Sequence, residues 1–452
     1  MLPAGVAAGH PATVAAGVEI LEEGGSAADA AVAASLASCV AETVMTGLLG
    51  GGHAIHWDGG EAWNLDCFVD VPSGEGAAPL ELQVPFGEEL VHYAVGPGTC
   101  AVPGLPAGLG ALHARYGRLP WARLVEPALR LARTGVVMPP AHAACLAMLA
   151  PVFTMRDDGR RIYAPAGRPL EGGETLAQPG LAEALSAVAA EGSTTVYTGT
   201  VAELLLAVPG IPLTRADLEG YRTEWRQPVA AAYTSTTFLT RDGLGGVADA
   251  LARLPPLRGL GERARVHALL AALDAPASDG HTTNLVTADR DGNACVLTSS
   301  LGLGTGDFLP GLDLQLNSML GEVDLVRTPL VPGRRMESMM APSLALGDGG
   351  VRLAIGSAGG TRLRTALVGV AAGVLDEGLS PVAAVERPRV HRAGDVVNAE
   401  PGVDEAALDD LARQGLQVRR WPGPHHYFGG VSLIAAEGAA GDLRRSGHAA
   451  TL

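Results

Sequence analysis

Residues Asp279 to Leu303 concentrate the hydroxyls and turn formers from which a reaction could be built. Gly280-His281 leads into Thr282 and Thr283, followed by the β-rich run Leu285 to Ala288. Asp289-Arg290-Asp291-Gly292-Asn293 supplies turn formers, and Cys295 to Thr298 is a second β-like run that closes on Thr298, Ser299 and Ser300. Asp-Gly and Gly-Asn provide the positive φ that tight turns need, so the stretch is expected to form a hairpin that folds the two hydroxyl sets together. Threonine and serine are also ordinary strand residues, and the spacing alone leaves both readings standing.

A threonine hydroxyl is a weak nucleophile unless a base sits beside it. A chain cut between His281 and Thr282 would supply that base, because the new α-amine has a pKa of roughly 7.7–8.0. Such an amine titrates near neutral pH and can take and return the hydroxyl proton. Ser300, at the end of the partner strand, is placed to orient the Thr282 hydroxyl. Further on, Gly356-Ser357-Ala358-Gly359-Gly360-Thr361-Arg362 reads as a strand running into a helix. Gly359 and Gly360 at that junction could offer backbone N–H groups to an oxyanion. Each such donor is worth roughly 2.7–4 kcal/mol where it has been removed.

The elements that must position these groups can be read in order. Ala12 to Glu23 has helical periodicity and stops at Gly24-Gly25. Ser26 with Asp29 is a capping box for a second, Ala-rich helix to Val40, which should lie inside the fold. Thr46 to Gly52 is glycine-rich but is neither a P-loop, lacking a following Lys-Ser/Thr, nor a dinucleotide fingerprint, since a strand follows it. Close backbone packing beside a cleft is its expected role. His53 to Trp57 and Ala62 to Leu65 form a hairpin, whereas Phe68 to Thr99 reads as loop. Helices are expected at Leu105–Tyr116, Trp121–Arg133, Pro140–Ala150, Leu181–Gly192, Val201–Val208 and Ala264–Leu273, with a β-like run at Ala231–Thr240. Strands at Leu344–Leu346 and Arg352–Ile355 precede a helix from Leu363 to about Leu375. The tail adds a helix near Asp404–Gln414, a strand pair at Gln417–Arg420 and Gly430–Ile434, and a polar end. Paired strands flanked by helical blocks, without alternating βαβ units, imply a layered α/β (α+β) protein.

Bulk properties narrow the partners. The 452 residues carry a formal charge of −16, with 47% hydrophobic and only 18% charged residues. This composition supports a large core and excludes general disorder. The acidic balance argues against nucleic acid or an anionic membrane surface, though not against an anionic small molecule in a local basic pocket. Five cysteines (Cys39, Cys67, Cys100, Cys145 and Cys295) are odd in number and scattered. They suggest neither a disulfide framework nor a metal site. His425-His426 lacks a third ligand, so no metal and no cofactor is expected. The amino terminus has no basic region followed by an apolar one, and no apolar run reaches membrane-spanning length. A cytoplasmic protein is the expectation.

The ordered motifs resemble the γ-glutamyltransferase (γ-glutamyl transpeptidase, glutathione hydrolase) family of N-terminal-nucleophile hydrolases over nearly the whole chain. They are His10-Pro11, Asp29-Ala30-Ala31-Val32-Ala33, the Thr46 to Gly52 glycine run, Val102-Pro103-Gly104 and Tyr116 to Trp121. In the second part they are Thr282-Thr283, Asp291-Gly292-Asn293-Ala294 and Gly356 to Gly360. The resemblance implies a four-layer αββα sandwich and self-cleavage at His281–Thr282. The products would be a large subunit (1–281) and a small one (282–452), with two such pairs able to associate. Thr282 would be both processing and catalytic nucleophile, Ser300 would stand for the threonine that contacts it, and Gly359 and Gly360 would be the oxyanion glycines. Thr283, Gly302, Asn317, Ser338 and Met339 fall at substrate-binding positions. The substrate would be a small amide or peptide-like molecule, cleaved through an acyl ester on Thr282, and a γ-glutamyl amide if the family pattern held.

The departures all concern that substrate. The family's carboxylate-gripping arginine is absent from Cys67-Phe68-Val69-Asp70-Val71-Pro72, and its amine-binding acid is absent from Leu316-Asn317-Ser318-Met319-Leu320-Gly321. Gly302 stands for an asparagine and Met339 for a second serine. Arg334, Arg335 and Arg362 are the candidates to replace the lost arginine. A site without both charge partners should bind a γ-glutamyl zwitterion poorly. The resemblance therefore leaves open an amide acylase, a carbon–carbon hydrolase or an unprocessed, non-catalytic homologue.

Overall fold

The computed structural model describes residues 2–86, 89–273, 282–322, 325–326 and 328–452. Two antiparallel sheets stack face to face, and helices cover the outer face of each. The first sheet has seven strands, in the order His448–Thr451, Gly5–Ala8, Thr283–Ala288, Ala294–Ser300, Gly51–Trp57, Ala62–Cys67 and Glu224–Arg226. The second has six, in the order Gly438–Gly441, Gly430–Ala435, Gly350–Ala358, Ser343–Gly347, Thr236–Thr240 and Val229–Tyr233. The expected αββα sandwich is the observed one.

Three cores hold the layers together. Between the sheets lie Ala7, Ile55, Val286, Val296, Leu344, Ala354 and Ile434, which alternate with residues facing the helices. Outside the seven-stranded sheet the Pro11–Glu22 and Ala27–Ala41 helices pack closely. Every residue of the Ala-rich second helix is buried, as its composition implied. Its capping box is formed, with Ser26 Oγ accepting from Asp29 N–H and Asp29 Oδ2 accepting from Ser26 N–H. Outside the six-stranded sheet the Arg362–Leu375 helix contributes Leu363, Leu367, Val370 and Ala371 to a further core.

The glycine run does what its composition implied. A Cβ on Gly50 would lie 2.1 Å from the Ser300 carbonyl oxygen, so only glycine lets these backbones meet. Three expectations differ from the structure. Phe68 to Thr99 contains a hairpin, Leu80–Phe86 with Glu89–Val95. Its period-two pattern of Leu80, Leu82 and Val84 is masked by Pro85 and by the exposed Glu81. The Ala231–Thr240 run is two strands, turned at Thr234 with φ 52°. Gln417–Arg420 and Gly430–Ala435 are both strands but not partners. The former runs parallel to Val396–Ala399 in a separate three-stranded sheet, and the latter pairs with Gly350–Ala358. Short, local patterns fix strand identity, whereas pairing is fixed by tertiary packing.

Asn284 ties the two sheets together beside Thr282. Its Nδ2 donates to Gly430 O at 3.0 Å and its Oδ1 accepts from Ser432 N–H at 3.1 Å. Both partners are buried strand backbone, so replacing Asn284 by alanine leaves a donor and an acceptor unpaired. Asn284→Ala should lose about 2–4 kcal/mol of stability, read as a lower denaturant midpoint. An unchanged midpoint would remove Asn284 from this role.

Candidate active site

Thr282 is the residue just before the Thr283–Ala288 strand and is 4% exposed. That strand lies inside the seven-stranded sheet with Gly5–Ala8 on one side and Ala294–Ser300 on the other. Thr283 pairs with Ser299, so the antiparallel register carries Thr282 opposite Ser300. Ser300 in turn pairs with Gly51. The hairpin thus brings the two hydroxyl sets together. His281, the other half of the expected cleavage site, lies outside the described residues.

Gly359 and Gly360 stand where the Gly350–Ala358 strand turns into the Arg362–Leu375 helix, with φ of 121° and 59°. These values lie in the region that glycine alone adopts freely. Their carbonyl oxygens accept from Arg362 and Leu363 N–H. Ala358, immediately before them, lines the same small cleft as Thr282.

The hydroxyl of Thr283 donates to Glu42 Oε2 at 2.5 Å. Glu42 Oε1 accepts from the Thr13 hydroxyl at 2.7 Å. Burial pushes the Glu42 carboxyl up to about 7, against the downward pull of these two hydrogen bonds and of Arg445.

Arg445 is the cation of the site. It is buried, its Nη1 donates to Thr282 O at 3.2 Å, and its Nη2 donates to His426 O at 3.3 Å. A Cβ on Gly359 would lie 3.0 Å from the same Nη2. Burial lowers its pKa to about 10, which still leaves it charged at neutral pH. The 3-10 turn Leu443–Arg445 carries it, between the last two strands of the chain. Asp442 caps that turn, accepting from Arg444 N–H at 3.0 Å, from Val431 N–H at 3.1 Å and from Arg389 Nη2 at 2.5 Å. Burial alone would raise the Asp442 pKa, but Arg389 and Arg444 hold it below the usual carboxylate value. Neither Glu42 nor Arg445 was legible in the sequence. The only available signals were Glu42 directly after the Ala-rich helix and the Arg-Arg pair in what reads as a polar tail.

The expected substrate residues are not arranged as a charged grip. Asn317 is fully buried, and its side chain binds backbone at both ends. Nδ2 donates to Leu49 O at 2.9 Å and Ala101 O at 2.8 Å, while Oδ1 accepts from Ala101 N–H at 2.9 Å and Met319 N–H at 3.2 Å. Ser338 Oγ accepts from Met340 N–H at 3.2 Å. Met339 joins Phe68, Val69, Met319, Met336 and Met340 in an apolar cluster. Gly302 has φ 69°, and a Cβ there would lie 2.7 Å from Ser318 Oγ and 3.0 Å from Glu322 Oε1. An asparagine would not fit without displacing them. Glu322 is therefore a buried acid one residue beyond the segment where none was expected.

Among the three candidate arginines, Arg334 is exposed. Arg335 is committed to Phe68 O, the Tyr221 hydroxyl and Asp70, and Arg362 donates to Tyr427 O at 3.1 Å and stacks on the Tyr427 ring.

Comparison with known proteins shows the family. The gamma-glutamyltranspeptidase family model matches residues 13–254 and 261–452. Acylase ACY 1 proenzyme of Pseudomonas sp. (strain SE83) is 29% identical, covering 95% of this chain and 89% of its own. Glutathione hydrolase proenzyme of Escherichia coli (strain K12) is 26% identical, covering 89% and 83%. The crystal structure of cephalosporin acylase from Bacillus halodurans superposes over 100% of this chain and 96% of that one, with a TM-score of 0.83 at 23% identity, a likeness of fold. The protein belongs to the gamma-glutamyltranspeptidase family.

Proposed function

We propose that the chain cuts itself between His281 and Thr282, and that the processed enzyme is an amide acylase whose acyl group is not a γ-glutamyl zwitterion. The Thr282 hydroxyl would attack the amide carbonyl carbon and pass its proton to its own α-amine. The tetrahedral oxyanion would be met by N–H groups at Gly359 and Gly360. Collapse breaks the amide C–N bond, and the proton goes from the α-amine to the leaving amine. Water then hydrolyses the ester, with the same amine serving as base. Subunits 1–281 and 282–452 would each supply strands to both sheets, so the cut would leave one folded unit.

The observation that carries the substrate reading is the apolar cluster of Phe68, Val69 and four methionines, which packs against the Gly51 end of the strand next to Ser300. A Cβ on Gly51, opposite Ser300, would lie 2.9 Å from Val69 Cγ1. Gly51 lies about two strand spacings, about 10 Å, from Thr282, and the cluster begins just beyond it. Flexible methionines suit an aliphatic or aromatic acyl chain. The arginines that could have met an α-carboxylate are exposed or already engaged. The likeness to a protein named an acylase supports the same reading.

Intact mass of the purified protein should give two fragments, beginning at Met1 and at Thr282, with Thr282→Ala remaining a single inactive chain. An uncut wild type with full activity would sink the mechanism. For the substrate, hexanoyl-p-nitroanilide should exceed γ-glutamyl-p-nitroanilide in kcat/KM by about tenfold or more, since a desolvated charge without a partner costs more than one factor of ten. The opposite order would restore a γ-glutamyl specificity.

A further inference from the structure

Glu42 is a buried carboxyl that the proposed reaction leaves without a role. It caps the C-terminal end of the Ala27–Ala41 helix, 1% exposed, where the negative end of the helix dipole disfavours its charge. Its two oxygens are held by hydroxyls from two different elements, Thr13 of the Pro11–Glu22 helix and Thr283 of the nucleophile strand. Space for this contact depends on Gly9, where a Cβ would lie 2.3 Å from Glu42 Oε2 and 3.1 Å from Thr283 Oγ1. Glu42, Thr282, Thr283 and Arg445 line one cleft. Covalently, Thr283 is the next residue after Thr282, so whatever fixes its side chain fixes the backbone that carries the nucleophile.

We propose that Glu42 is a positioning residue of the Thr282 nucleophile. It holds the Thr282–Thr283 backbone through the Thr283 hydroxyl, and its charge sets how tightly the new α-amine keeps its proton. The inference rests on the self-cleavage reading given above.

The charged and titratable neighbours support an isolated pair. From its own helix Glu42 faces Cys39, whose thiol burial and Glu42 itself push up to about 12. From the C-terminal turn it faces Arg445, charged throughout the neutral range. Across the cleft, His142 is lowered to about 3 by burial, and burial also lowers His10 beside it. None of the groups with a stated value changes form between pH 5 and 9, whereas the Glu42 carboxyl, at about 7, does. A carboxylate there stabilises a nearby ammonium and raises its pKa, and protonation of the carboxyl removes that stabilisation and lowers it. The two groups then titrate as a coupled pair.

The test needs no substrate. The Thr282 α-amine of processed protein is labelled with acetic anhydride from pH 5 to 9, and the extent of acetylation of the Thr282 peptide is read by mass spectrometry. Glu42→Gln keeps the shape and can still accept from Thr283, but it removes the charge. Its labelling midpoint should lie about half to one pH unit below that of the wild type. Equal midpoints overturn the proposal. Should Glu42→Gln remain uncut, the reading passes to Thr283→Val, which removes the hydrogen bond that favours the charged carboxyl. It should shift the midpoint in the same direction by less, with Thr283→Ser restoring the wild-type value. A wild-type midpoint in Thr283→Val overturns the proposal equally. Absence of a Thr282 amino terminus in the wild type instead defeats the self-cleavage reading, so the two failures are distinct.

A second measurement concerns folding alone. The folded carboxyl is raised from 4.5 to about 7. Its contribution to stability is therefore complete below pH 4.5 and is lost as pH rises through about 7. The Tm of Glu42→Gln relative to wild type should rise over that interval, and a difference independent of pH overturns the assignment of a titrating group here.

Discussion

Backbone pairing of the Thr283–Ala288 strand is the constraint on which the site depends. With a neighbour on each edge, Gly5–Ala8 and Ala294–Ser300, its register is fixed twice. A slip of one residue would turn Leu285 and Val286 to the wrong cores and carry Thr282 away from Ser300. Thr282 therefore precedes a strand paired on both edges rather than sitting in a loop, and its position is set by the whole sandwich. Asn284 adds a link to the second sheet, on which Gly359 and Gly360 sit. The proposed nucleophile and the proposed oxyanion glycines come from different sheets, and the stacking of the sheets determines the distance between them.

The end of the chain completes this arrangement with buried charge. Arg445 reaches the Thr282 carbonyl only because the Leu443–Arg445 turn is held firmly. Asp442 is paired with Arg389, and Arg444 meets Glu400 through Nε at 2.6 Å and Nη2 at 2.5 Å. Backbone carbonyls of Val385, Phe428 and Gly429 take further protons of Arg444 and Arg389. Buried charges are tolerated where partners and hydrogen bonds compensate for lost hydration. Their geometry is also unforgiving, since no solvent is present to replace a missing partner. This network makes residues 163 positions apart, Thr282 and Arg445, neighbours.

The expected substrate residues follow a different logic from the proposed reacting groups. Thr282, Ser300, Gly359 and Gly360 stand on strands and at a strand-to-helix turn, where the fold fixes them. The residues at the expected substrate positions include a methionine of an apolar cluster, an asparagine spent on backbone and a glycine that makes room for Ser318 and Glu322. A fold can keep its reaction chemistry while its acyl pocket changes, because the sheet register is indifferent to what the adjoining loops carry.

Much of this was legible in the chain itself. Helix periodicity, the Ser26 capping box, the turn formers of the Thr282 hairpin and the glycines at 359 and 360 are local signals, written within a few residues of the element they specify. Together with the order of the family motifs they determined the sandwich and the candidate nucleophile. What the sequence left undecided was set by tertiary contact. The hairpin at Leu80–Val95 is hidden by Pro85 within its first strand, and the partners of Gln417–Arg420 and Gly430–Ala435 depend on strands distant from them. Glu42 and Arg445 look in the sequence like a helix-end acid and a tail cation. They acquire meaning only when burial removes water from one and the last strands carry the other to Thr282. Hydration and distance are properties of the folded molecule, and no local pattern records them.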